Sequence, residues 1–279
     1  MKKIRYLFEA FVLFLVMMLS KLLGAKNASN FGGWVGRTIG PRLAASRKAE
    51  RNIRKIMPSK NDREVKEIIA GMWDNLGRLM MEYPHIKTIE QNFTTTIGTE
   101  FLPDDKACIF FTGHFGNWEI MPPYFYTHFG FPTIPIYRAP NNPYADALLK
   151  KFRSYHGQLE TIPKSTSGMR QMVQALKDGK SLGLLIDQKY NQGIKIDFLG
   201  QPAMTSPIYA QLAKKFDIPL IPIRITRKEG CSFSIEISQA IETQNKTIEE
   251  IVLESHEHLK DWIFNKPEQW LWLHRRWKF

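Results

Sequence analysis

Ala107-Cys-Ile-Phe-Phe-Thr-Gly-His-Phe-Gly-Asn-Trp-Glu119 opens as an apolar run and closes in turn chemistry. Unbroken apolarity over 107–112 predicts a strand buried on both faces, the kind found inside a parallel sheet. Outward from it the pattern alternates. A second strand is predicted over 133–137, then a helix over 143–155. A short strand over 159–162 precedes a helix over 167–177 that Gly179 ends. Residues 181–186 read as another buried strand, 206–216 as a helix and 219–226 as a strand. Residues 232–237 alternate as a half-exposed edge strand would, and a last helix covers 247–264. Alternation of this kind implies an α/β fold: a mixed, mainly parallel central sheet flanked by helices, behind an N-terminal membrane-anchoring helix.

The segment that anchors begins Met1-Lys-Lys-Ile-Arg5 and is then almost wholly apolar to Leu23, broken by Glu9, Ser20 and Lys21. A helix of about 17 residues rises roughly 25 Å, slightly short of the hydrocarbon core. Leu-Gly-Ala25 is a poor cleavage site and the apolar run is long, so the segment reads as retained rather than removed. It either spans with its N-terminus inside or lies along the interface. Gly32, Gly33, Gly36 and Gly40-Pro41 predict a loose hinge after it. The basic stretch over 42–57 predicts a helix close to anionic headgroups, or simply a solvated face, ended by Pro58. A helix is predicted from Asp62, as N-cap, to Tyr83, with Glu64 in its first turn.

At 279 residues, 43% apolar and 24% charged, the chain suits one large globular domain with appendages and excludes wholesale disorder. Its net charge of +12 favours anionic partners: nucleic acid, anionic lipid or an acidic carrier protein. Cys108 and Cys231 make neither a disulfide framework nor a metal-ligand spacing, and each lies in a strand-like apolar run.

His114 follows directly on the buried strand, where reactive groups of α/β sheets gather. Glu119 lies five residues on. One regular helix would separate the two by about 140°, and one strand would put them on opposite faces. They meet only if the backbone turns at Gly116-Asn117, with Glu119 then opening a helix. A carboxylate on a histidine fixes its tautomer and stabilises the imidazolium. No serine or cysteine stands beside the pair as a nucleophile, so it suits a general base acting on a hydroxyl that a second substrate supplies.

Thr112-Gly-His-Phe-Gly-Asn-Trp-Glu119 resembles the signature block of the bacterial lipid A late acyltransferases, relatives of the glycerolipid acyltransferases. Tyr137-Arg-Ala-Pro-Asn-Asn-Pro143, Leu185-Ile-Asp-Gln188, Asp197-Phe-Leu-Gly-Gln-Pro-Ala203 and Pro267-Glu-Gln-Trp-Leu-Trp-Leu-His-Arg-Arg-Trp277 match in the same order. The resemblance covers essentially the whole chain. It implies an O-acyltransferase that moves a fatty acyl chain from an acyl carrier protein thioester to a hydroxyl of a lipid A precursor. His114 would be the base and Glu119 its partner. It places the chain at the bacterial inner membrane, with residues 1–25 as anchor and 26–279 as the acyltransferase domain on the cytoplasmic face. No cofactor, metal or nucleic acid is called for.

Substrate-binding candidates follow from position. Arg138, after a strand, and Arg153, on the next helix, are each placed to clamp an anion, or to sit in ordinary ion pairs. Asp187 and Gln188 end a buried strand at the same rim, to bond Arg138 or substrate, or to cap a loop. Asn117 serves the turn or donates to the acyl oxygen. Thr205-Ser-Pro207 reads as a helix start. Trp270, Trp272 and Trp277 among basic residues suit a lipid interface, or pack a helix on the core. His256 and His258 are two apart on a helix, share no face and make no metal pair.

Overall fold

The computed structural model describes residues 2–104, 107–131, 133–137, 140–153, 155, 157 and 159–278. Four helices come first: α1 (Lys2–Ile39), α2 (Ser46–Ile56), α3 (Asp62–Glu82) and α4 (Ile86–Asn92). Then follow β1 (Thr94–Ile97), β2 (Ile109–Thr112), α5 (Met121–Phe129), β3 (Thr133–Tyr137), α6 (Pro143–Arg153), β4 (Ile162–Pro163) and α7 (Thr166–Lys177). The chain continues through β5 (Ser181–Leu185), β6 (Ile194–Phe198), β7 (Gln201–Thr205), α8 (Ile208–Phe216), β8 (Leu220–Arg227), β9 (Phe233–Ile237) and α9 (Ile248–Asn265).

The central sheet runs β1-β9-β8-β2-β5-β3-β4, parallel at every junction except β8 with β9. The fold is α/β, as the strand and helix pattern implies. Strand β2 is fully buried, and its residues alternate between two cores. Ile109 and Phe111 pack into one with Leu182, Tyr209 and Trp270, and Phe110 into the other with Ile120, Phe125 and Ile221. An apolar run without polar alternation is what two covered faces require.

Three expectations are corrected. Strand β9 lies inside the sheet, between β1 and β8, and the edge is β1, whose Thr94-Thr-Thr-Ile97 carries too little apolar signal to announce a strand. The alternation of β9 comes from its two faces being unequally covered, not from an open edge. Gly32, Gly33 and Gly36 are no hinge: α1 continues through them to Ile39, Gly40 opens a short 3-10 turn, and lacking side chains lets the helix lie directly on α3. The break is at Gly24, with φ 73°. Finally, Trp270, Trp272 and Trp277 are core residues rather than a lipid belt: Trp277 stacks on Phe198, and Trp270 meets Trp272, Trp277 and Phe198 edge to face.

Helix α1 starts at Lys2, so its first arm of about 22 residues reaches roughly 33 Å. It is long and apolar enough to cross a membrane. One of its faces is occupied, though: Met17 packs with Leu79 and Tyr83, and Asn142 donates to the Tyr6 carbonyl and to Glu9. Phe8, Phe11, Phe14 and Leu15 face outward. Helix α3 is capped by Asn61, one residue before the predicted Asp62, through a reciprocal box with Glu64.

Candidate active site

Strands β2 and β5 are parallel neighbours, and Thr112 stands opposite Leu185. Two residues beyond each lie His114 and Asp187, so the register itself brings them together. His114 Nδ1 is 2.7 Å from Asp187 Oδ1, and the His114 amide donates to Asp187 Oδ2 at 2.7 Å. Trp270 Nε1 donates to the same Oδ2 at 2.8 Å. Asp187 is fully buried. Burial opposes its ionisation, but the His114 ring, its amide and His274 outweigh it and hold the carboxyl well below the usual range.

An ionised Asp187 accepts a hydrogen bond from Nδ1–H, which leaves the lone pair on Nε2. That nitrogen faces Gln188 Nε2 at 3.2 Å, on the side open to the cavity. The ring is held from its other sides by Trp118, at 4.8 Å between centroids, and by His274, at 4.6 Å. The loop carrying it is pinned to the C-terminal segment: Leu271 donates to the His114 carbonyl and Gly116 to the Gln269 carbonyl.

Glu119 is elsewhere engaged, so its expected contact with His114 is corrected. Arg153 forks onto it, Nε to Oε2 at 3.0 Å and Nη2 to Oε1 at 2.7 Å, and the Tyr83 hydroxyl donates to Oε1 at 2.6 Å. Burial works against the charge, yet Arg153 foremost, then Tyr83 and Trp118, hold the carboxyl below its ordinary value. Tyr83 is pushed well up, by burial first and by Glu119 second. Gly116-Asn117 does make the predicted turn, but it swings Glu119 past the histidine ring to Arg153. Trp118, just before Glu119 in the chain, sets its ring against that of the histidine.

Arg153 is thus an ion-pair partner within the cavity wall. Asn117 belongs to the turn: Oδ1 accepts from the Glu119 amide, Nδ2 donates to buried Glu82, and the residue is 1% exposed. It is not placed to bond substrate. Arg138 lies outside the described residues. Gln188 lines the cavity beside the histidine. His114, Asp187 and His274 bring one ligand atom each within 4.8 Å of one another. The first two are already hydrogen-bonded together rather than aimed at an open point.

The cavity holds about 300 Å³. His114, Glu119, Arg153 and Gln188 lie on its wall with Leu76, Met80, Leu149, Leu184 and Leu271. A buried base with an apolar surround can accept a hydroxyl and exclude bulk water. The sequence matches, over residues 1–279, the family described as bacterial lipid A biosynthesis acyltransferase. The chain belongs to that family. Comparison with curated proteins gives no match. Among solved structures this acyltransferase is similar to the 1-acyl-sn-glycerophosphate (LPA) acyltransferase PlsC from Thermotoga maritima, with 14% identity and a TM-score of 0.39. The likeness covers 93% of this chain and 99% of that one.

In the sequence nothing marks Tyr83, Trp118 or His274 as part of the site, and Asp187 is placed only at the rim. The signal that finds Asp187 is the pairing of two predicted buried strands, with His114 two places past the end of one and Asp187 one place past the end of the other. Tyr83 and Trp118 carry no such signal, since both read as ordinary apolar positions.

Proposed function

We propose that the protein transfers a fatty acyl chain from an acyl carrier protein thioester to a hydroxyl of a lipid A precursor, with His114 as general base and Asp187 as the carboxylate behind it. The observation that carries this is the Asp187–His114 contact, which leaves Nε2 unprotonated in a cavity with apolar walls. Nε2 takes the proton of the acceptor hydroxyl as its oxygen attacks the thioester carbonyl. Asp187 stabilises the imidazolium so formed. Collapse of the tetrahedral intermediate breaks the carbon–sulfur bond, and the imidazolium returns its proton to the departing thiolate. Gln188, displaced from Nε2 by the acceptor, becomes free to donate to it.

Glu119 acts as a positioning residue in this reading. Held by Arg153 and Tyr83, it fixes the backbone at its neighbour Trp118, and Trp118 packs against the histidine ring. The excess of cations supports an acidic carrier as donor, and the exposed apolar face of α1 supports action on a lipid in its bilayer, at the inner membrane. Occupied on one face by α3 and α6, the first arm of α1 suits a helix lying in the interface, which leaves residues 26–279 on the cytoplasmic side.

Purified protein with acyl carrier protein thioesters and a Kdo-bearing lipid A precursor tests this by mass spectrometry. A gain of one acyl chain is expected. Acylation of lysophosphatidate alone would replace the acceptor, and equal turnover from coenzyme A thioesters would replace the donor.

A further inference from the structure

The break at Gly24 splits α1 into two arms, and both rest on α3. On the first arm, the Ser20 hydroxyl bonds the Met81 carbonyl. On the second, Gly32 faces Gly77 so closely that a Cβ on either would fall within 2.1–2.3 Å of the other's carbonyl oxygen. Gly36 lies likewise on the Trp73 backbone, at 2.0 Å. Both arms are therefore seated on α3, the first through a side-chain bond to its backbone and the second through backbone contact.

Between them lies a cleft of about 320 Å³. Val16 and Leu19 line it from the first arm, Val35 and Ile39 from the second, and Leu76 and Met80 form its floor. The remaining lining is also apolar side chains and glycine. Such a cleft offers a headgroup nothing to bond and suits hydrocarbon. Leu19 is 43% exposed and Ile39 52%, so the rim continues into the outward apolar face of α1. Leu76 and Met80, one helical turn apart on α3, also wall the cavity that holds His114.

We propose that this cleft holds a hydrocarbon tail of the lipid acceptor, entering from the bilayer and directing the acceptor hydroxyl to His114. The proposal rests on the acyl-transfer reading above. The tail is assigned to the acceptor because the cleft opens onto the face of α1 that would meet the membrane, where the acceptor resides. The donor chain arrives on a soluble carrier.

The full-length protein in detergent micelles doped with a phosphatidylglycerol bearing a diazirine in its acyl chain, irradiated and mapped by peptide mass spectrometry, tests the cleft directly. Adducts are expected on residues 31–43 and 73–81. Leu19→Trp and Val35→Trp, each filling the cleft from a different arm, should cut those adducts and raise KM for the lipid acceptor, both by roughly tenfold, with kcat held. Phe8→Trp, on the outward face, should change neither. Adducts spread evenly along α1 and unaltered in both cleft variants would overturn the proposal, as would crosslinks between two copies of the chain in their place. Absence of turnover in the unsubstituted protein would instead overturn the acyl-transfer reading, and the adduct map would still decide whether the cleft takes hydrocarbon.

Discussion

Asp187 grips His114 twice, once at the ring through Oδ1 and once at the amide through Oδ2, each at 2.7 Å. The double contact sets both the place of the ring and the position of its proton. Asp187→Asn separates the two. An asparagine oxygen can still accept from the His114 amide and Trp270 Nε1, but its NH2 must then donate to Nδ1. The ring proton moves to Nε2, and the base is lost. Turnover should fall on the order of a hundred- to ten-thousand-fold with KM nearly unchanged. His114→Ala should fall as far, and the double variant little further, because the two act as a unit. Steady-state kinetics with a mass readout checks this, and additive losses in the double variant would contradict the coupling.

Arg153 and Glu119 form a forked ion pair whose side chains are 17% and 11% exposed. Removing the cation alone strands a buried carboxylate, so Arg153→Met should cost about 3–5 kcal/mol. Replacing both partners together, as Glu119→Gln with Arg153→Met, should cost far less than the sum, because no charge is left without a partner. Denaturant unfolding of the four proteins gives the coupling. Activity of the double variant should still be impaired if Trp118 needs Glu119 to hold the histidine, and full activity there would remove Glu119 from the positioning chain.

Most of the sheet is legible in the sequence because β2, β5 and β8 bury both faces, and an apolar run of the right length has little else to be. The parallel order follows from the helices between strands. What escaped notice has specific causes. The hairpin of β6 and β7 mixes Lys195, Asp197 and Gln201 with apolar residues, and β1 is nearly all threonine. The position of His114 was legible, but not its partner. A five-residue spacing invites pairing within the segment, whereas the contact that forms is set by register between strands 73 residues apart. Local spacing cannot reveal a neighbour that only sheet order supplies.

His256 is buried and His274 half-buried, and together they give the fold a pH dependence. Burial first, then the neighbouring His114 ring in one case and the charge of Arg276 in the other, push them down to about 4 and about 3, His274 and His256 respectively. An unfolded histidine titrates near about 6.5. Below that value the unfolded chain binds protons that the folded one refuses, so stability is complete above it and is lost as pH falls toward the folded values. Each group contributes a slope of at most about 1.4 kcal/mol per pH unit across that window. Urea unfolding between about pH 7.5 and pH 5 should show the decline, and His274→Asn should flatten it. A slope identical in that variant would assign the effect to other groups.

Gly116 is the narrowest point of the active-site loop. Its φ is 57°, and a Cβ there would lie 2.3 Å from the Ile225 carbonyl oxygen, which belongs to β8 and cannot retreat without breaking the sheet. Gly116→Ala therefore meets a left-handed backbone and a fixed wall together. The first costs about 1 kcal/mol, and relieving the second requires the loop to move. Movement of the loop breaks the Gly116–Gln269 and Leu271–His114 hydrogen bonds that hold the base against Asp187. The variant should thus lose turnover out of proportion to its stability: melting temperature falls by several degrees, while kcat falls by roughly a hundredfold or more. Gly130→Ala is the control. Its φ of 66° is also left-handed, but nothing stands within 4 Å of the added carbon, so only the backbone cost remains and kcat should hold. Equal losses of turnover in the two variants would show that strain alone, and not the displacement of His114, disables the enzyme.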